Sequence, residues 1–256
     1  MKKVSGLIIL FFLLVSLILK PAVLLGDDLQ SLLNKARKYY STRENGESLE
    51  NAIKTSEEAL KIVGNDDKKA KASIYVELSK YHFKLGEHHV KDNKSEVFFK
   101  GIEYAQLAIS LDQENAGGYY WKAANLGRWG ETNKFGFLAR RSEFEDALKE
   151  VIARDRPYDY WGADRTLAAY YIPRVLFWGD RKKAIEHIEM AVKGEPAYLW
   201  NLMIQAEVYQ GVDKDKSEAI LQSILKQDIN QLPDARFENM WIQEKAKSMN
   251  QTTNHP

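Results

Sequence analysis

The chain has 256 residues, of which 45% are hydrophobic and 29% charged, with a formal net charge of +1. This composition is ordinary for a globular protein that buries a substantial core. The absence of cysteine excludes disulfides, thiol chemistry and lipid attachment through a cysteine. The near-neutral charge argues against nucleic acid as a partner, because binding to the phosphate backbone needs a positive surface.

The first segment of the chain, residues 1–26, predicts export. Lys2 and Lys3 precede an apolar run from Leu7 to Leu19, which is the pattern of a signal peptide. The residues before Asp27 form a poor cleavage site. We therefore expect either a cleaved signal peptide or an N-terminal membrane anchor, with the protein exported to the periplasm or held at the membrane by this segment alone.

Helical periodicity dominates the next segment, 27–250, and alternating strand patterns are almost absent. The periodicity predicts five helix pairs and one final helix, at 28–40 with 48–62, 69–85 with 95–111, 117–130 with 138–154, 162–172 with 180–194, 197–210 with 214–227, and 234–249. The final helix would cap the open end of the stack, and residues 251–256 would form a frayed tail.

One spacing pattern recurs along these helices. Ala184, Ile188 and Ala191 share one helix face, and Pro196 ends the segment. The pattern is repeated at Ala52, Ser56 and Ala59, and at Gly101, Ala105 and Ala108. Small residues at this spacing let two antiparallel helices approach closely, as in the second helix of a tetratricopeptide (TPR) repeat. The sequence therefore predicts an all-α, TPR-like solenoid.

Two stretches, Tyr119–Asn133 and Gly162–Val192, resemble the TPR protein associated with TRAP transporters. The resemblance implies an exported, all-helical accessory component that works with a periplasmic solute-binding protein. A Tyr/Trp-rich helix followed by a helix that begins with Gly-Asp also resembles bacterial relatives of the regulators of microtubule dynamics. That alternative implies a structural adaptor in the cell envelope, with no small-molecule site.

A candidate ligand face lies on the predicted helix 117–130. Trp121, Asn125 and Arg128 are spaced four and three residues apart and share one side of it. On the concave surface they could hold a carboxylate beside an apolar body. Arg165 begins the equivalent helix of the next repeat, and two unpaired guanidinium groups brought together would call for an anion between them. The alternative is a core tryptophan and a solvated arginine.

Two more residues on the next inner helix or just after it, Tyr171 and Arg174, are also predicted to contact a ligand or partner, with a core role as the alternative for Tyr171. After Pro173 follows an apolar loop formed by Val175, Leu176, Phe177 and Trp178. Such a loop must be covered, by its own repeat, by a second copy of the chain or by a membrane. If the protein self-associates, we expect this loop to be the contact.

Catalytic and cofactor motifs are missing from the sequence. It has no phosphate-binding glycine loop, no nucleophile elbow and no dinucleotide fingerprint. The adjacent His88 and His89 point in different directions on a helix and do not readily chelate one ion. We expect no enzyme activity, no cofactor and no metal; the expected partners are another protein and a small organic anion.

Overall fold

The computed structural model describes residues 28–172 and 179–253. Within these stretches the chain forms helices and turns, with no β-strand. The helices are α1 (28–41), α2 (Gly46–Ile62), α3 (Lys68–His88), α4 (Lys94–Leu111), α5 (Ala116–Thr132), α6 (Lys134–Ala139), α7 (Arg141–Asp155), α8 (Tyr158–Tyr171), α9 (Arg181–Gly194), α10 (Leu199–Gln210), α11 (Lys214–Lys226) and α12 (Arg236–Thr253). None of them combines the length and apolarity that a membrane crossing needs.

Short polar side chains set where many of these helices begin. The side chains of five capping residues each accept a hydrogen bond from a backbone N–H of the first turn: Asn45, Asp67, Asn115, Asp180 and Asp213. Such caps satisfy backbone donors that have no partner inside the helix. The loops before the helices therefore encode the helix boundaries.

Sequential helices pack against each other, as a solenoid of helix pairs requires. The main contacts are α2 with α3, α3 with α4, α4 with α5, α8 with α9, and α10 with α11. The small residues that defined the repeat are buried where these helices meet; Ala52, Ala108, Ala184 and Ala191 are all essentially inaccessible. The prediction of an all-α, TPR-like solenoid is therefore confirmed.

The insertion in the third pair differs from the prediction. It folds as a separate short helix, α6, so that α7 begins at Arg141 and not at 138. The reason is local: Asn133 ends α5, and its side chain accepts a hydrogen bond from the N–H of Gly136, which starts α6. At the other end of the chain, α12 runs to Thr253, so that the first residues of the expected tail are helical.

The last helix does more than cap the stack, because it also meets the first repeats. Arg43, in the turn after α1, donates from Nε and Nη2 to the carboxylate of Glu238 on α12, at 2.9 and 2.5 Å. Nζ of Lys84 on α3 lies 2.7 Å from the same carboxylate. The ring of His89 stacks on Phe237, with centroids 6.4 Å apart. Side chains thus join the two ends of the solenoid around a central space.

Candidate ligand cavity at the centre of the repeats

The central space contains a cavity of about 530 Å³, bordered by α3, α5, α6, α7, α8, α10 and α12. Its walls combine charged side chains with aromatic ones, which include Phe83, Trp121, Phe144, Tyr170, Trp200 and Trp241. A volume of this size is typical of small-molecule sites, although this lining is more polar than is usual for them. The arrangement of the repeats therefore creates a ligand-sized chamber that is partly open to solvent.

Charged side chains line this cavity in two groups that differ in exposure. Lys84 and Arg165 are buried and stand with the half-buried Asp159. A second, more exposed group consists of Arg128, Glu131, Lys134, Glu207 and Lys245. Because buried charges interact more strongly than solvated ones, the first group dominates the electrostatics of the chamber.

Three of the predicted site residues, Trp121, Arg128 and Arg165, line this one cavity. Trp121 is also a core residue: it is 1% exposed, and its Nε1 donates to the hydroxyl of Tyr158 at 3.0 Å. Asn125 does not line the cavity. It is fully buried, and its Nδ2 donates to the carbonyl of Trp121 at 2.8 Å and to that of Ser79 on α3 at 3.2 Å. Its role is to join α5 to α3.

The expectation that two unpaired guanidinium groups face each other is wrong. Arg128 pairs with Glu87 on α3 at 2.6 Å and with Glu131 at 2.7 Å. Arg165 pairs with Asp159 at 2.6 Å. The spacing on α5 could not show that α3 supplies a carboxylate, since Glu87 comes from another repeat. Each arginine thus already has an anionic partner within the protein.

Arg165 holds an unusual turn beside the cavity. Asp159, Tyr160 and Trp161 adopt left-handed backbone conformations, with φ of 51°, 57° and 61°. This conformation costs roughly 1–2 kcal/mol for each residue with a side chain. Nη1 of Arg165 donates to the carbonyls of Asp159 and Tyr160 at 3.1 and 3.2 Å, and Nδ2 of Asn201 also donates to the carbonyl of Tyr160. A strained turn maintained in this way is a mark of functional sites.

The remaining predicted contacts are not brought to this cavity. Tyr171 stacks on His187, with ring centroids 6.0 Å apart, and its neighbour Tyr170 lines the cavity instead. The hydroxyl of Tyr170 donates to Glu145 at 2.9 Å. Arg174 and the apolar loop of Val175, Leu176, Phe177 and Trp178 lie outside the described residues.

The sequence matches the family described as TRAP transporter T-component over residues 48–255, which is most of the chain. The chain belongs to the TRAP transporter T-component family. A search of curated proteins finds no match. The family assignment agrees with the resemblance carried by Tyr119–Asn133 and Gly162–Val192.

A solved structure supports the TPR fold of this T-component. The thermophilic TPR protein TTC0263 of Thermus thermophilus aligns with a TM-score of 0.60 and 18% identity, over 84% of this chain and 98% of that one. The TPR2AB domain of yeast Sti1, in a complex with pHSP90, aligns with a TM-score of 0.31 and 16% identity, over 87% and 99%. At 18% identity the first similarity concerns the fold alone. The TM-score of the second alignment is too low to indicate a shared fold.

Sequence reasoning missed three residues at the inner end of the T-component's cavity. Lys84, Asp159 and Tyr198 line both this cavity and a second one of about 360 Å³, which is bordered by Arg37, Tyr40, Arg43 and Glu238 among others. Lys84 lies in a lysine-rich helix where nothing in the sequence marks it. Its burial depends on tertiary contacts, among them those with Glu238 on α12 and Trp200 on α10.

Proposed function

We propose that this protein is an exported accessory component of a TRAP-type transport system, which holds a small organic acid in its central cavity and contacts a periplasmic solute-binding protein. The observation that carries the proposal is the aromatic cavity of about 530 Å³ with buried cations at one end. Membership of the T-component family supports the transport role and a protein partner. No catalytic step is proposed.

The chemistry of the walls fits an organic acid. Rings such as Trp121, Trp200 and Trp241 offer flat apolar faces to an uncharged body. The buried positive charge at one end can receive a carboxylate through charge-assisted hydrogen bonds, which are stronger for buried groups than for solvated ones. A sugar or a cation would match this lining less well, because the first needs many neutral polar partners and the second an excess of carboxylates.

The cavity can be tested by filling it. Ala169, on α8, lines the cavity and is only half-buried, so that Ala169→Phe places a ring inside the chamber. Ala153, on α7, is exposed, and Ala153→Phe is the matched control. Calorimetric titration with a panel of aliphatic and aromatic carboxylic acids should find binding in the wild type and the control, and at least tenfold weaker binding in Ala169→Phe. Equal binding in all three proteins would overturn the cavity assignment.

The protein partner needs a separate measurement. Surface plasmon resonance between the immobilised protein and the solute-binding protein of its transport system should show a saturable complex. A complex that forms while no acid binds would favour the alternative, a structural adaptor without a small-molecule site. The absence of any complex would remove the transport role and leave only the cavity.

A further inference from the structure

The two cavities meet at a cluster of buried charges. The residues that line both are Lys84, Asp159 and Tyr198. Lys84 and Arg43 both pair with Glu238, while Arg165 pairs with Asp159. These three cations therefore share two carboxylates, and the buried cluster has one more positive than negative charge; the carboxylate of Asp234, which also borders the second cavity, is exposed. Burial of charge is costly when it is not fully balanced, so the surplus at this place calls for an explanation.

Arg43 does not carry the surplus, because its donors are already used. Its guanidinium binds Glu238 through two nitrogens and also donates to the carbonyls of Tyr40 and Asp234 at 3.3 and 2.5 Å. Arg165 is similarly occupied, by the carboxylate of Asp159, two backbone carbonyls, the hydroxyl of Tyr120 and the side chain of Asn201.

Lys84 is different. Its residue is 4% exposed, and its Nζ meets one carboxylate oxygen, that of Glu238 at 2.7 Å. Its other close neighbours are ring faces, those of Trp200 at 5.7 Å and Phe83 at 6.0 Å. An ammonium group has three N–H donors. Within residues 28–172 and 179–253 no further acceptor lies in hydrogen-bonding distance of Nζ, although the side chain borders both cavities.

An ionisable neighbour on the same helix, His88, does not change this balance. Burial, together with the ammonium of Lys84, lowers the pKa of His88 to about 3, so that the ring is neutral at physiological pH. Burial opposes ionisation of Glu238, but Lys84 and Arg43 outweigh it and hold the pKa of that carboxyl well below its usual range. At physiological pH His88 therefore adds no positive charge to the cluster, and Glu238 remains a carboxylate.

We infer that Lys84 is the anchor for the anionic group of the ligand, and that the ligand is a monoanion with an apolar body. This inference rests on the proposed function, since it names the chemistry of the same cavity. The single surplus charge of the buried cluster matches one carboxylate or sulfonate, whereas a second carboxylate would reach only the more exposed cations of the cavity, such as Lys134. Phe83 and Trp200 flank the anchor and receive the apolar part.

Two fluorescent probes separate the charge from the apolar body. 1-Anilinonaphthalene-8-sulfonate and N-phenyl-1-naphthylamine share one skeleton, and only the first carries an anion. Lys84→Met should weaken binding of the sulfonate at least about tenfold, the effect of losing one charge-assisted contact, and leave the neutral probe within about twofold. Lys84→Arg, which keeps the charge, should retain the sulfonate. Lys71→Met, on the same helix but away from both cavities, is the matched control and should change neither.

The wild type provides a second test that needs no substitution. 1-Naphthoate should displace the bound sulfonate at least about tenfold better than uncharged 1-naphthamide, and better than a naphthalene dicarboxylate. The inference would be overturned if Lys84→Met bound the sulfonate within twofold of the wild type, or if it lost affinity for both probes equally. Equal displacement of the sulfonate by 1-naphthoate and 1-naphthamide would also overturn it. If the wild type binds neither probe, both the proposed function and this inference fail. If it binds both probes equally well, only the role of Lys84 fails.

Discussion

Removal of the Glu238 carboxylate should open the contact between the two ends of the solenoid. Glu238 is 2% exposed and receives three charged contacts, from Nε and Nη2 of Arg43 and from Nζ of Lys84, at 2.9, 2.5 and 2.7 Å. Glu238→Gln keeps the shape of the side chain but leaves both cations without a carboxylate. Breaking a buried pair from one side costs about 3–5 kcal/mol, a large part of the roughly 5–15 kcal/mol that stabilises a typical domain.

Urea unfolding followed by the helical circular dichroism signal measures this loss. Glu244→Gln is the matched control, because Glu244 lies on the same helix, has a side chain that is 65% exposed and pairs with Lys247. An exposed pair of this kind contributes at most about 1 kcal/mol. A second substitution, Lys84→Met, removes one of the stranded cations and should restore part of the stability that Glu238→Gln loses. If Glu238→Gln and Glu244→Gln lose the same stability, the carboxylate does not hold the ends together.

Further predictions concern packing and pH. Ala184→Trp overpacks a fully buried helix contact and should cost about 1–3 kcal/mol or more, measured by urea unfolding; an unchanged midpoint would contradict the helix register. Gly101→Ala should also destabilise, since an added Cβ would lie 2.3 Å from Oδ1 of Asn125, and a melting temperature equal to that of the wild type would refute this contact. Burial lowers the pKa of His82 to about 4 and of His88 to about 3, below the unfolded value near 6.5. The unfolded chain therefore binds more protons than the folded one below about pH 6.5. The free energy of unfolding should reach its full value above about pH 6.5. It should decrease as the pH falls towards the two folded-state pKa values, by up to about 1.4 kcal/mol per pH unit for each histidine. Urea midpoints from pH 7.5 to 4.5 test this, and His82→Phe with His88→Phe should flatten the profile.

The repeat architecture could be predicted because it depends on the spacing of residues within single helices. Ala184, Ile188 and Ala191 lie on one helix face whatever surrounds that helix, and the structure buries that face. Capping residues such as Asp180 fix the helix starts in the same local way. Helix periodicity and caps therefore allow the order and the approximate bounds of the helices to be predicted without knowledge of the tertiary contacts.

The candidate site could be predicted only in part, because the neighbouring helices decide which side of α5 borders the cavity. The spacing of Trp121 and Arg128 predicts that they share one side of α5, and both do line the cavity. Asn125 has the same periodicity, but α5 is flanked by several helices, and the amide turns towards Ser79 on α3. Spacing within one helix cannot tell a cavity from an interface when the helix is enclosed on more than one side.

The turn at Asp159 could not be predicted from residue preferences. Left-handed conformations favour glycine, asparagine and aspartate, so that Asp159 fits this preference but Tyr160 and Trp161 do not. The donors that stabilise the turn come from Arg165 and from Asn201 in a later helix. Gly194 completes the arrangement, because a side chain there would collide with the ring of Trp161.

The bond between Arg43 and Glu238 also restricts how this protein can vary in length. In an open array each repeat contacts only its neighbours, so that a helix pair can be gained or lost without disturbing the others. Here the rotation accumulated over all the repeats must bring α12 back to the turn after α1. Deletion or duplication of one pair would carry Glu238 away from Arg43 and Lys84 and leave both cations buried alone. The contact between the two ends therefore fixes the number of repeats, as closure fixes the number of strands in a β-barrel.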